Sequence, residues 1–283
     1  MGSDRSLTEK LTEQMAHQVG QLPSAGERRS WQASLPALAQ DLIEVGLGDL
    51  EVLVEYQLPF SSKRIDAVLC GTNPKTGKPS IIVVELKQWT SVKAVPGAID
   101  LVAIDAYGQQ PVLHPGEQVR GYCEHLESFN RFLENSDAEL SGAAYLHNWL
   151  DPKNQNLDLL EPTSRSRVFT GAEKDAWHDF LKNHLSTKDT KEIASALLAS
   201  KLAPTKQLMD LAAAEIKDRE QFVLLDEQQV AYSLVMRAVR QSQESNNKPA
   251  IIVTGGPGTG KSVIALSLLG ELSRPRNWWR RPF

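Results

Sequence analysis

The residues of this sequence best suited to chemistry are two carboxylates and a lysine in its first third. Glu85 and Lys87 stand two positions apart in an apolar run that predicts a strand, so their side chains point to the same face of a sheet. Asp66 lies in the preceding strand-like run, and the turn residues between the two runs predict a hairpin. Carboxylates that neighbouring strands bring together repel each other, and a shared hard cation relieves that repulsion.

This arrangement predicts a Mg²⁺ site, or a Mn²⁺ site, that hydrolyses phosphodiester bonds. Asp66 and Glu85 would supply oxygen ligands together with the carbonyl group of Leu86, and water would complete the coordination. The ion would polarise a phosphoryl oxygen and lower the pKa of a bound water, while Lys87 orients or deprotonates that water. The alternative is structural, because E-x-K is a common tripeptide and Glu85 and Lys87 could form an ion pair on an exposed sheet face.

A helix predicted from about 116 to 133 adds two candidates. Gln118 and Tyr122 are four positions apart, so they share one face of this helix. The alternatives are a solvated Gln118 and a core aromatic residue at Tyr122.

The helix predicted over 27–45 offers an additional acid. Glu27 is preferred because the run that it begins, Glu-Arg-Arg-Ser-Trp, is one of the segments that resemble a known family, and Glu44 is the second choice. The alternative is that neither residue is more than a surface glutamate.

A phosphate-binding motif stands near the end of the sequence. The run matches G-x-x-x-x-G-K-[ST] and follows an apolar run at 250–254 that predicts a buried strand. Its glycines would let backbone N–H groups surround the phosphates of ATP, its lysine would reach the β- and γ-phosphates, and its serine would hold Mg²⁺. The candidate nucleotide-binding residues are Gly255, Gly258, Gly260, Lys261 and Ser262.

The residues after Ser262 do not continue this motif into a motor. They contain no Walker B acidic pair, no arginine finger and no second motor domain, and they end in a run rich in Trp and Arg. A P-loop without these groups is not a complete motor. We therefore expect no ATP hydrolysis by this chain, and ATP binding stays an open question.

Several segments together resemble the RecB-type branch of the PD-(D/E)XK nucleases, joined to a Schlafen group 3-like DNA/RNA helicase domain as in bacterial nuclease–helicase proteins. They include Arg64-Ile-Asp-Ala-Val, Val84-Glu-Leu-Lys-Gln-Trp, Tyr145-Leu-His-Asn, Leu225-Asp-Glu-Gln-Gln and the P-loop. The remaining segments are the run beginning at Glu27 and the run from His114 to Tyr122.

The resemblance implies a nuclease fused to an ATP-driven helicase that acts in DNA repair or phage defence. It implies that Asp66 and Glu85 bind the metal and that Gln229 reads adenine, as in the Q motif of superfamily 1 helicases. The sequence departs from the family pattern in having Ile65 instead of Pro before Asp66, and in lacking most of the helicase half. The catalytic residues implied are Glu27, Asp66, Glu85, Lys87, Gln118 and Tyr122.

The pattern of elements predicts an α/β fold, with a restriction-endonuclease-like mixed central sheet flanked by helices. A boundary near 220 separates a nuclease domain with a helical extension, 1–220, from a truncated P-loop NTPase fragment, 221–283. The other predicted strands are 51–56, 64–70, 80–87, 143–147 and 167–170, and the other predicted helices are 6–20, 172–185, 188–200 and 204–218.

Composition leaves the partner undecided. A net charge of −4 neither indicates nor excludes nucleic acid, since a local basic groove is sufficient. The basic residues near the motifs that could line such a groove are Lys63, Arg64, Lys87, Lys93 and Arg120.

The motifs favour DNA as the substrate, with RNA still allowed, and a homodimer would be an ordinary way to cut both strands. A binding module without catalysis and an ATP-binding fragment are the rival functions. No apolar run approaches a membrane span and no secretory segment begins the sequence. Cys70 and Cys123 lack metal-ligand spacing, which fits two buried thiols in a reducing cytoplasm.

Overall fold

A computed structural model describes residues 25–104, 108, 110–151, 157, 160–205, 224–245, 249–256 and 258–273. Its strands are β1 (Glu51–Gln57), β2 (Arg64–Thr72), β3 (Pro79–Leu86), β4 (Lys93–Val95), β5 (Ala98–Ala103), β6 (Pro111–Leu113), β7 (Glu139–Leu146) and β8 (Arg167–Thr170). Its helices are α1 (Ala25–Glu44), α2 (Pro115–Phe129), α3 (Arg131–Asn135), α4 (Lys174–His184), α5 (Thr190–Ala199), α6 (Glu227–Ser245) and α7 (Lys261–Ser273).

The main sheet is mixed, with the strand order β1-β2-β3-β7-β8. β1, β2 and β3 pair antiparallel as a meander, whereas β7 joins β3 in parallel and β8 joins β7 in parallel. The central strands β2 and β3 are almost wholly buried, as expected for apolar strands covered on both faces. The predicted α/β class with a mixed sheet flanked by helices is therefore confirmed.

Helices pack on both faces of this sheet because its alternate residues carry apolar side chains to both sides. One core lies between the sheet and helices α1 and α4, and it includes Trp31, Val84 and Trp177. The other lies between the sheet and helices α2 and α5, and it includes Val83 and Leu126.

The two cysteines are buried in this fold. Cys70 lies on β2 and Cys123 lies on α2, and neither forms a disulfide bond. The prediction of two buried free thiols is therefore confirmed.

Three differences from the predicted elements have physical reasons. The helix expected over 116–133 is divided at Asn130, whose extended backbone ends α2 and whose side-chain oxygen accepts the N–H groups of Phe132 and Leu133 to begin α3. A second, three-stranded sheet of β4, β5 and β6 occupies a stretch expected to be a loop, because β4 and β6 are too short to show an alternating pattern. The helix expected over 6–20 and residues 206–218 of the helix expected over 204–218 lie outside the described residues.

The buried strand expected over 250–254 is wrong. Residues 250–254 are neither in a strand nor buried, and Ile252 has 85% of its surface exposed. An apolar run becomes a buried strand only where neighbouring strands accept its backbone hydrogen bonds. None of the described strands pairs with residues 250–254.

The chain offers a direct test of how closely β2 packs. A Cβ atom on Gly71 would lie 2.5 Å from the carbonyl oxygen of Ser186 and 3.0 Å from Leu50 Cδ1. The backbones of Ser186 and Thr72 are hydrogen-bonded in both directions, so the oxygen cannot easily move. We expect Gly71→Ala to lower the free energy of unfolding by about 1–3 kcal/mol, the usual cost of overpacking.

Urea denaturation of the Gly71 variant checks this expectation. Gly48→Ala is the matched control, because its Cβ would meet Ile43 Cγ1 at an ordinary 3.4 Å. Equal midpoints for the two variants would contradict the close packing of β2.

None of the described helices combines the length and the apolar character needed to cross a membrane.

Candidate active site

The pairing of β2 with β3 brings Asp66 and Glu85 together. Ala67 lies opposite Val84 in this antiparallel register, so the next position along places Asp66 opposite Glu85. The backbone N–H of Leu86 donates to Asp66 Oδ2 at 2.7 Å, which holds the aspartate against the end of β3. The hairpin predicted from the turn residues therefore brings the two predicted carboxylates to the same place on the sheet.

Lys87 completes this group from the end of β3. Its backbone N–H donates to the Tyr145 carbonyl at 3.0 Å, which extends the pairing with β7 by one residue. Its ammonium group lies 2.7 Å from Glu85 Oε1 and 5.1 Å from the centre of the Trp89 ring. Only 7% of the Glu85 side chain and 17% of the Lys87 side chain are exposed. The pair is therefore enclosed, and the alternative of an ion pair on an exposed sheet face does not describe it.

The electrostatics of the three groups depend on burial. Burial, together with repulsion from Glu85, raises the pKa of Asp66 well above its usual value, although Lys87 and the Leu86 N–H act in the opposite sense. Burial also raises the pKa of Glu85 despite the attraction of Lys87. For Lys87, burial lowers the pKa, but attraction to Glu85 and Asp66 outweighs it, so the net shift of this pKa is upward.

The donor atoms present fit a hard divalent ion. Glu85 Oε2 is buried and has no hydrogen-bond partner among the described residues, although a buried carboxylate oxygen normally has one. Beside it, Asp66 adds a second carboxylate, and the repulsion between the two is of the kind that a cation removes. Carboxylate oxygens are the ligands that Mg²⁺ and Mn²⁺ take in proteins.

Gln118 and Tyr122 lie together on α2, as predicted. Gln118 Nε2 donates to Tyr122 Oη at 2.8 Å. The Tyr122 ring belongs to the core between α2 and the sheet, so the core interpretation describes the ring correctly. Its hydroxyl group nevertheless lies 3.1 Å from Asp226 Oδ2, and burial together with the charges of Glu85, Asp226 and Asp66 raises the pKa of Tyr122.

Of the two candidate acids in the first helix, the structure describes the side chain of only one. The backbone of Glu27 lies in α1, but its side chain lies outside the described residues. Glu44 belongs to a different group, in which Lys174 lies 2.9 Å from Glu44 Oε2 and 3.1 Å from Asp41 Oδ1. The last turn of α1 therefore faces α4, and none of the contacts of the described residues joins Glu44 to Asp66 or Glu85.

The sequence did not point to two further acids at the candidate site. Glu55 lies on β1 between the residues that pair with Ile65 and Ala67, and it accepts from Trp31 Nε1 at 2.5 Å and from Arg64 Nε at 2.8 Å. Asp226, just before α6, accepts from Tyr122 Oη. Glu55 could have been found from the sequence, because it is an acid in the predicted strand that precedes the strand of Asp66. No local pattern indicated Asp226.

The P-loop residues adopt part of the expected geometry. Gly258 and Gly260 have φ values of 76° and 82°, and α7 begins at Lys261, as a phosphate-binding loop before a helix requires. The Lys261 ammonium donates to the carbonyl oxygens of Gly255 and Gly256 at 2.8 and 2.6 Å. Ser262 lies exposed near the start of α7.

The glutamine that contacts this loop is Gln228, one residue before the predicted Gln229. Gln228 Nε2 donates to the Thr259 carbonyl at 3.2 Å. Adenine recognition by Gln229 stays a prediction.

Comparisons with models of known protein families, with curated proteins and with solved structures found no match to this chain.

Proposed function

We propose that this chain is a divalent-metal-dependent nuclease whose active site consists of Asp66, Glu85 and Lys87. The observation that carries the proposal is the enclosed carboxylate pair, with the Lys87 ammonium 2.7 Å from Glu85 and with Glu85 Oε2 unpartnered among the described residues. Two adjacent buried carboxylates are costly in a purely structural role, whereas they are useful where a cation binds.

The chemistry follows from the donor set. Asp66 and Glu85 would hold Mg²⁺ or Mn²⁺, which would supply charge stabilisation to a phosphoryl group and acidify a bound water. Lys87 is positioned by Glu85 to orient the attacking water or to stabilise charge on the scissile phosphate. Gln118 fixes the orientation of the Tyr122 hydroxyl, and these two residues would support the substrate side of the site.

We propose DNA as the substrate and a PD-(D/E)XK nuclease fold for the main sheet. The order of an antiparallel β-meander, an E-x-K strand and a helix with Gln118 and Tyr122 supports the proposed fold, and DNA is the substrate that the resemblance to nuclease–helicase proteins implies. The proposed relationship to nuclease–helicase proteins rests on the same segments and on the P-loop.

Cleavage assays on a panel of substrates test this function. The wild-type protein is incubated with linear duplex, circular duplex and single-stranded DNA, and with RNA, in Mg²⁺, in Mn²⁺ and in EDTA. We expect cleavage of DNA in either metal and none in EDTA. Binding to DNA without cleavage in either metal would replace the proposal with that of a non-catalytic nucleic-acid-binding module.

A further inference from the structure

Asp226 reaches the proposed active site from a segment far along the chain. Tyr122 Oη lies 3.2 Å from Asp226 Oδ1 and 3.1 Å from Oδ2, and Lys63 Nζ lies 3.0 Å from Oδ2. Only 13% of the Asp226 side chain is exposed. The contacts therefore join the beginning of α6 to α2 and to the loop before β2.

The segment that carries Asp226 is held in place by packing. Leu225 is buried in the core that contains Tyr122. Leu225 packs beside Gly121 of α2, where a Cβ atom would lie at an ordinary contact distance of 3.5 Å from Leu225 Cδ2. Asp226 itself has a φ of 44°, a left-handed conformation that a non-glycine residue adopts at some cost in free energy. The packing of Leu225 and the first turn of α6 maintain this conformation.

Contacts farther along α6 secure the same orientation. Val230 packs against the apolar core of the small sheet, and the Ser233 hydroxyl donates to Asp100 of β5. Because α6 is attached at two places, the position of Asp226 follows from the fold and not from a single flexible side chain.

The charge of Asp226 lies close enough to affect the other acids and bases of the site. It raises the pKa of Glu85 and contributes to the raised pKa of Lys87. Asp226 forms an ion pair with Lys63, which also contacts Glu227 at 2.6 Å. Asp226 thus adds negative charge to a site where Asp66 and Glu85 already repel each other.

We propose that Asp226 is a positioning residue and a further acid of the nuclease site: it orients the Tyr122 hydroxyl and strengthens cation binding by Asp66 and Glu85. This inference rests on the proposed nuclease function. It also means that the segment around residues 224–228 belongs functionally to the nuclease unit, although the sequence places it beyond the expected boundary near 220.

Full-chain variants test the positioning role by cleavage kinetics. Asp226→Asn removes the charge and keeps the size, and Glu227→Gln is the matched control, because Glu227 also contacts Lys63 but has 83% of its side chain exposed. We expect Asp226→Asn to lower kcat by about tenfold or more with little change in KM, and Glu227→Gln to change neither by more than about twofold. In a Tyr122→Phe background, Asp226→Asn should lower kcat by less than it does in the wild type, because the part of its effect that passes through the Tyr122–Asp226 hydrogen bond is already lost.

Calorimetric titration with Mn²⁺ supplies a readout that does not need cleavage. We expect Asp226→Asn to weaken Mn²⁺ binding by about fivefold or more and Glu227→Gln to leave it near the wild-type value, since 13% of the Asp226 side chain is exposed against 83% of the Glu227 side chain, and solvent screens the charge of Asp226 less. Equal Mn²⁺ affinity in wild type and Asp226→Asn, or fully additive effects of the Asp226 and Tyr122 changes, overturns the inference.

The two proposals fail in distinguishable ways. A wild-type protein that binds Mn²⁺ but cleaves no substrate refutes the nuclease function, and the Mn²⁺ titrations of the two variants then still decide the role of Asp226. A wild-type protein that binds no Mn²⁺ overturns both. Matching thermal unfolding midpoints for the Asp226 and Glu227 variants show that any difference between them does not arise from unfolding.

Discussion

Lys87→Ala is expected to reduce metal-dependent cleavage by roughly 10²–10⁴-fold, the range usually lost with a group that assists proton transfer. Lys87 is the cation that contacts Glu85, and its enclosed position places it beside the proposed ion. The same variant should bind Mn²⁺ at least as tightly as wild type, because removing a neighbouring ammonium group removes a repulsion on the incoming ion. Loss of cleavage with retained metal binding would identify Lys87 as a catalytic residue and not as a metal-site support.

Lys174→Ala is the matched control for this variant. Lys174 also lies between two acids, Asp41 and Glu44, but these belong to a separate group between α1 and α4. Initial rates of DNA cleavage in Mg²⁺, together with circular dichroism of each variant, check the expectation. Cleavage by Lys87→Ala within about threefold of the wild-type rate would contradict the catalytic role.

Asp66→Asn is expected to stabilise the protein against unfolding when metal is absent and to abolish stabilisation by Mg²⁺. The folded-state pKa of Asp66 is raised above its ordinary 3.8, so the folded state holds this proton more tightly than the unfolded state. The contribution of Asp66 to the free energy of unfolding is therefore most favourable below pH 3.8, and it is lost as the pH rises through the folded-state pKa. Above that pH the ionised aspartate destabilises the wild type, and the variant avoids this cost.

In Mg²⁺ the wild type should be more stable than Asp66→Asn, the reverse of the order expected without metal. A ligand present at about 100 times its Kd adds about 2.7 kcal/mol to the stability of a protein that binds it only when folded. The wild type should gain this increment, and Asp66→Asn should not.

Urea denaturation at several pH values, with Mg²⁺ or with EDTA, checks both expectations. Asp137→Asn is the control, because the Asp137 side chain is 69% exposed and its 3.6 Å contact with Lys78 lies elsewhere. An equal gain from Mg²⁺ in wild type and in Asp66→Asn would show that the ion does not bind at this carboxylate.

The parts of the site that local periodicity controls could be predicted from the sequence. The alternation of a strand placed Glu85 and Lys87 on one face, and the spacing of four residues placed Gln118 beside Tyr122 on a helix. The hairpin followed from the turn residues between β2 and β3, and with it the approach of Asp66 to Glu85.

The parts that depend on tertiary packing could not be predicted in this way. Glu44 is close to the other candidates in sequence, but the position of α1 on the sheet directs it toward Lys174. Asp226 stands far from Tyr122 in sequence, and the packing of Leu225 brings it there. The exposed run at 250–254 shows the converse case, in which an apolar pattern alone does not specify a strand.

The most direct test of the central claim is one cleavage measurement on a labelled linear DNA duplex, made in Mg²⁺ and in EDTA, with wild type, Asp66→Asn and Glu85→Gln. We predict that wild type cleaves the duplex in Mg²⁺ and not in EDTA, and that both variants remain folded but do not cleave in either. Cleavage that persists in EDTA, or in both carboxylate variants at close to the wild-type rate, would contradict a metal-dependent nuclease site at Asp66 and Glu85.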